Sequence, residues 1–105
     1  MSEEMICNGL GKLVEVQKTV VISTAHISKE DDEKLKKESR TMDMPNLFVD
    51  DYGFGLNIKL DEDAVLDEYS EEFRYIYSCL LKSGFDYVKF DCDGPKLLHL
   101  KQFEW

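Results

Sequence analysis

Basic residues are nearly missing from the middle third of this chain. Between Thr41 and Glu72 there are ten acids and one base, Lys59, so that stretch carries -9. The full 105 residues also sum to -9, which leaves the remainder close to neutral. Such an imbalance makes the electrostatic term with nucleic acid or anionic membrane repulsive, and neither is expected as a direct partner. Long apolar runs are missing too. No stretch approaches the roughly twenty apolar residues of a membrane span. The opening MSEEMICNGLGK has no basic start and no apolar run of leader length. Cysteine is scarce: Cys7, Cys79 and Cys92 are odd in number and irregular in spacing. They read as free, mostly buried thiols in a reducing compartment, with a cytoplasmic location expected.

The signatures of metal and cofactor chemistry are equally thin. His26, His99 and the three cysteines form no CxxC, HxxxH or HExxH pair, so no metal site is expected. The segment DCDG resembles the opening of a calcium loop. Position twelve from Asp91 is Gln102, however, and Pro95 interrupts the span, so it reads as a hairpin turn. Two glycines in YGFGLN lie within a strand pattern with no helix after them, which excludes a phosphate cradle. No cofactor is therefore expected. His26 in STAHIS, beside Ser23 and Thr24, offers a base and a hydroxyl. No nucleophile-elbow glycines flank the serine, and the same residues serve as turn and capping groups.

What is present is a single domain over 1–105, with residues 1–12 read as partly mobile. At 43% hydrophobic and 11% aromatic residues the chain can bury one modest core. The β-branched run Thr19-Val20-Val21-Ile22 within 12–24 predicts a central strand buried on both faces. Ser28 is a natural N-cap with Asp31 at the capping-box position, opening a helix whose acids lead and whose bases trail. Residues 47–60 predict two short strands or one long bulged strand, with Phe54, Leu56, Ile58 and Leu60 alternating inward. Leu66, Tyr69, Phe73, Ile76, Tyr77 and Leu80 fall on one helical stripe, with Gly84 as C-cap. FDYVKF, the turn DGP and KLLHLKQFEW predict a final pair of strands. The order β-α-β(β)-α-β-β implies an α+β two-layer sandwich, a mainly antiparallel sheet of four to five strands with two helices on one face. Pairing of terminal strands across a homodimer axis stays open.

The feature that stands out is DEDAVLDEYSEEF, residues 61–73, with seven carboxylates and no base. Asp67, Glu68, Glu71 and Glu72 read as the first turns of the second helix, opposite its apolar stripe. A helix dipole welcomes anions there, so a solvated N-terminus is the plain account. Asp61, Glu62 and Asp63, with Asp50 and Asp51 across a turn, would extend the region into a surface that imitates duplex DNA. Such a surface draws in the basic groove of a nucleic-acid-binding protein. An exposed Tyr52 or Tyr69 would supply an aromatic anchor.

The motifs VVISTAHIS, YGF, DCDGP and the terminal FEW together resemble an uncharacterised domain family carried by plasmids, prophages and other mobile elements. The likeness runs from about Val20 to Trp105 and includes no catalytic signature. It implies a context in which small acidic proteins block CRISPR effectors or restriction enzymes. Residues and resemblance lead to one expectation: a non-enzymatic inhibitor, anti-CRISPR or antirestriction, of the DNA-mimic type. Its contact would be Asp61, Glu62, Asp63, Asp67, Glu68, Tyr69, Glu71 and Glu72. The alternative is an accessory or regulatory protein-binding module of the mobile element, acting through its sheet edge or the STAHIS loop.

Overall fold

A computed structural model describes residues 16–41 and 45–105. The expected mobility of 1–12, the start of the first strand and Cys7 lie outside that range. The described chain runs β1 (Thr19–Ser23), a 3-10 turn (Thr24–His26), α1 (Lys29–Ser39), β2 (Val49–Asp51), β3 (Gly55–Lys59), α2 (Glu71–Lys82) and β4 (Tyr87–Asp91). The strands form one sheet in the order β1-β4-β3-β2. β1 and β4 are parallel, while β4–β3 and β3–β2 are antiparallel. This is the expected α+β architecture, with four strands in a mixed sheet and two helices.

Cross-strand register explains how the core is filled. Ile22, Phe90 and Leu56 lie in one row, and Val20, Val88, Ile58 and Val49 in the next, all on one face. Both helices cover that face. Phe73 of α2 is the hub: its ring centre lies 6.3 Å from Phe90, 4.8 Å from Tyr69 and 5.9 Å from Tyr77. Such aromatic pairs contribute about 0.5–1.5 kcal/mol each beyond the area they bury. Leu35 of α1 is fully buried in the same cluster.

Two strand expectations are corrected. Among the described strands β1 lies at the edge of the sheet, not at its centre, and it is buried on one face: Val21 remains 40% exposed. β-branched residues favour any strand, so a short run of them cannot distinguish an edge from a centre. The region after β4 is not a strand. Its backbone bonds to the loop that follows β1: Pro95 C=O accepts from Ser23 N–H at 2.9 Å, and Phe103 N–H donates to Ala25 C=O at 2.7 Å. Residues 95–105 are therefore a strap across the end of β1, and no C-terminal strand remains to pair across a dimer axis. The middle segment resolves as two short strands. Tyr52 N–H donates to Gly55 C=O at 3.2 Å, Gly53 takes φ +93°, and Phe54 sits 71% exposed at the tip instead of inward.

The second helix also starts later than its apolar stripe suggests. Ser70 is the N-cap, its hydroxyl accepting from Phe73 N–H at 3.2 Å. Asp67 and Glu68 thus stand in a turn before the helix, not in its first turn. Ser70 is fixed by Asp31, whose carboxylate accepts from Ser70 N–H at 3.1 Å and from its hydroxyl. Asp31 sits where a capping box would turn it back on α1. Ser28 caps α1 by accepting from Asp31 N–H at 3.1 Å, and the Asp31 side chain instead joins the starts of the two helices.

Candidate functional site

The acidic segment is a loop between β3 and α2, held by its backbone along its length. Tyr77, 2% exposed on α2, accepts from Asp61 N–H at 2.7 Å and donates to Asp61 C=O at 3.1 Å. Asp61 then accepts from Asp63 N–H at 2.9 Å, forming a tight Asx turn. The Asn46 amide grips Val65 from both sides, donating to its C=O at 2.6 Å and accepting from its N–H at 2.9 Å. Lys34 on α1 donates to Glu68 C=O. The Asp31–Ser70 bonds close the segment. Because main-chain groups carry this anchoring, the carboxylates of Glu62, Asp63, Asp67, Glu68 and Glu71 are left in solvent.

Among the described residues, Glu72 is the one member of the set with an ion-pair partner. Lys101 lies 4.0 Å away, and both side chains are well exposed. A surface pair at that distance contributes less than about 1 kcal/mol. Lys34, Lys37, Arg74 and Lys101 border the flank; Arg74 turns back to donate to Ser70 C=O at 3.4 Å. The flank thus stays anionic and contiguous from Asp61 to Glu72.

Its extent and its anchor differ from expectation. Asp50 pairs with Asn57 and Asp51 with Leu56 on edge strand β2. Lys59, at the loop end of β3, lies roughly 7 Å beyond Asn57 and roughly 10 Å beyond Leu56 at about 3.3 Å per residue. Asp50 and Asp51 therefore do not extend the flank. Tyr69 is 7% exposed and belongs to the core, so it offers no exposed aromatic anchor. Tyr52 is half-buried at the opposite end of the sheet, bound to Asp91. The exposed apolar groups on the flank are Val65, 59% exposed within the loop, and Tyr75, 60% exposed one turn after Glu71. Tyr75 was legible, since it falls off the stripe of Phe73, Ile76, Tyr77 and Leu80. Val65 carried no signal.

The motifs of the resemblance gather at the other end, where β1 and β4 finish, and they knit the strap to the sheet. His26 is fully buried. Its Nε2 accepts from Leu97 N–H at 2.9 Å, and Nδ1 lies 2.9 Å from Lys101 C=O, which makes Nδ1 the protonated nitrogen. Ser23 is 2% exposed and accepts from Ala25 N–H at 3.0 Å. Both ring nitrogens are held by strap backbone, so neither is placed to act as a base on Ser23. Trp105 Nε1–H donates to Ile27 C=O at 3.0 Å. Gly94 packs so closely on β1 that a Cβ there would meet the Ile22 backbone at 2.6 Å. Gly55 is tighter still, with Phe90 O at 1.9 Å from the same construction.

Tyr52 and Asp91 link YGF to DCDG. The Tyr52 hydroxyl donates to Asp91 Oδ2 at 2.7 Å, and Asp93 N–H donates to Oδ1 at 2.8 Å. Both bonds hold the Asp91 carboxyl below its ordinary range, the tyrosine's first. Burial and the same carboxylate push the Tyr52 phenol up. Among the described residues, Asp91, Cys92 and Asp93 are the cluster whose donor atoms could meet on a metal, all within 4.8 Å of one another. Asp91 already spends both oxygens internally. A cavity of about 330 Å³ beside the strap is lined by Thr24, Cys92, Lys96, Phe103 and Trp105, and His26 does not reach it. Cys79 and Cys92 are free and exposed, which corrects the expectation of buried thiols. Among the described residues no helix is long and apolar enough to cross a membrane.

Residues 19–105 match the model of a family of unknown function described as the DUF5983 C-terminal domain. No curated protein and no solved structure matches the chain.

Proposed function

The chain belongs to the DUF5983 family of unknown function, matching its C-terminal domain, and from that premise we propose that it is a non-catalytic binding module whose acidic flank engages a basic, nucleic-acid-binding surface of another protein. One observation supports this above all: the carboxylates of Glu62, Asp63, Asp67, Glu68 and Glu71 stand in solvent on and beside a loop anchored chiefly through its main chain. A loop fixed in this way presents its charges without an ordering cost at binding. Val65 and Tyr75 supply apolar contact within the charged area. The finer form, suggested by the likeness to mobile-element domains, is a small inhibitor occupying the DNA groove of a CRISPR effector or restriction nuclease.

The accessory-module alternative offered the sheet edge or the STAHIS loop as its recognition element, and burial bears on the loop form alone. Ser23 and His26 are buried under the strap, so replacing His26 tests the fold, not a recognition surface. The test of the first reading is capture of a partner from cell lysate at low salt, compared with Asp67→Asn/Glu68→Gln/Glu71→Gln/Glu72→Gln. Duplex DNA should release the captured protein, moderate salt should weaken it steeply, and the neutralised variant should lose it. Capture that ignores salt, DNA and the four substitutions would refute the charge-mimic reading.

A further inference from the structure

The sheet face opposite the helices carries Phe48, Lys59 and Tyr87 in one row and Asp50, Asn57 and Lys89 in the next. Strand alternation assigns these side chains to that face, because Ile58, Leu56 and Val88 between them are buried under the helices. Asn57 stands in the middle of the set. A cavity of about 400 Å³ opens there, walled by Pro45, Leu47, Phe48 and Tyr87 and with Asn57 in its lining. That volume is within the range of small-molecule sites. Among the described residues, Asn57 Oδ1 is the buried side-chain polar atom that has no hydrogen-bond partner. An unmet acceptor costs free energy, and native folds leave few of them, so one placed at a cavity marks a position for a donor. The atom is closed off in the free protein, but its neighbours can turn: Phe48 is 55% exposed and Lys59 is exposed.

Charged groups in the lining do not select an ion. Glu38 and Asp50 oppose Lys59, whose ammonium lies 6.0 Å from the Phe48 ring centre, and Glu38 accepts from Asn46 N–H at 3.2 Å. What the cavity lacks is one donor in apolar, aromatic company. We propose that it binds an indole-type ring, a flat aromatic body with one N–H donor and no acceptor, whose N–H donates to Asn57 Oδ1 while the ring packs against Phe48 and Tyr87. Tryptophan is the side chain with that inventory: a phenol brings an acceptor as well, and a guanidinium or ammonium brings donors that one oxygen leaves unmet. The ring comes either from a tryptophan of a partner protein or from a free indole compound. None of the carboxylates of the acidic flank takes part, so the site stands independently of the flank reading.

The test titrates the protein with 3-methylindole and with 1-methylindole, isomers of equal size of which only the first keeps its N–H, followed residue by residue by NMR. 3-Methylindole should give saturable shifts at residues 47–50, 57–59 and 87. It should bind about fivefold or more tightly than its isomer, the change that one hydrogen bond makes. Asn57→Leu removes the acceptor at similar volume; it should bind the two isomers alike and unfold at no lower urea concentration than the parent, since an unmet polar atom is lost. Should Asn57→Leu fold poorly, the isomer pair on the parent protein carries the test. N-acetyl-tryptophan amide separates the sources. Binding at least as tight as that of 3-methylindole assigns the ring to a partner's tryptophan, and exclusion of the amide assigns it to a free indole compound. Absence of saturable binding, or shifts confined to the strap cavity around Phe103 and Trp105, overturns the proposal. Equal affinity of the two isomers for the parent protein overturns it as well, being the result expected where water already serves Asn57.

Discussion

Replacing His26 with alanine should unfasten the C-terminal strap and cost a large share of the protein's stability. The imidazole is fully buried and makes two hydrogen bonds to strap backbone, at Leu97 N–H and Lys101 C=O, both 2.9 Å. Each contributes about 1 kcal/mol net, and a backbone group left unpaired in a dry interior costs about 1–3 kcal/mol. The space left by the ring adds a cavity penalty of about 1–2 kcal/mol. Two lost bonds, one unpaired backbone group and the cavity sum to about 4–7 kcal/mol, against a total of about 5–15 kcal/mol for an ordinary domain. With a urea slope of about 1–1.5 kcal/mol per M, the unfolding midpoint should fall by about 3 M or more. Hydrogen exchange adds a local readout: the Leu97 amide should be protected in the parent protein and exposed in the variant. A midpoint loss below about 1 M, with Leu97 still protected, would refute the view that His26 serves the fold, and would reopen a chemical role for it.

Gly55→Ala should cost about 3 kcal/mol or more by urea unfolding, because the added methyl would meet Phe90 O at 1.9 Å, and that backbone cannot retreat without breaking the β3–β4 ladder. Tyr52→Phe should move the Asp91 titration up toward the ordinary carboxylate range, with the Asp93 N–H bond still holding it on the low side, followed by NMR. The sign follows from the lowered folded value: the Tyr52–Asp91 contribution is present above the unfolded pKa and is lost as pH falls through the folded one, so Tyr52→Phe should flatten stability below about pH 4. Cys79 and Cys92 should both react with an aromatic disulfide reagent in the native protein, and slow reaction until unfolding would contradict their exposure.

Local patterns were reliable wherever one periodicity governed one element. The stripe of Phe73, Ile76, Tyr77 and Leu80 marked α2, and alternation through Leu56 and Ile58 marked β3, since each records a single buried face. Ser28 as the cap of α1 was legible because its bond reaches only three residues ahead. Errors arose where a local signal had a distant owner. Tyr69 and Leu66 extend the helical stripe in sequence, but Asp31, far away in the chain, caps the helix at Ser70 and leaves them in the preceding loop. Asp31 itself looked like one half of a capping box. KLLHLKQFEW has the composition of a strand, yet its backbone bonds go to Ala25 and to the His26 ring, which follow β1 and lie outside the sheet.

The concentration of charge between Thr41 and Glu72, the two amphipathic helices and the α+β class could be read from residue order, because charge count and apolar spacing are properties of neighbours along the chain. Which described strand lies at the edge, that His26 and Ser23 are buried beneath the strap, and that the acidic loop is anchored by Tyr77, Asn46 and Lys34 while most of its carboxylates stay in water required the folded chain. Those outcomes depend on hydrogen bonds between segments tens of residues apart. No local pattern encodes them, because a backbone N–H or C=O looks the same in every residue until its partner arrives.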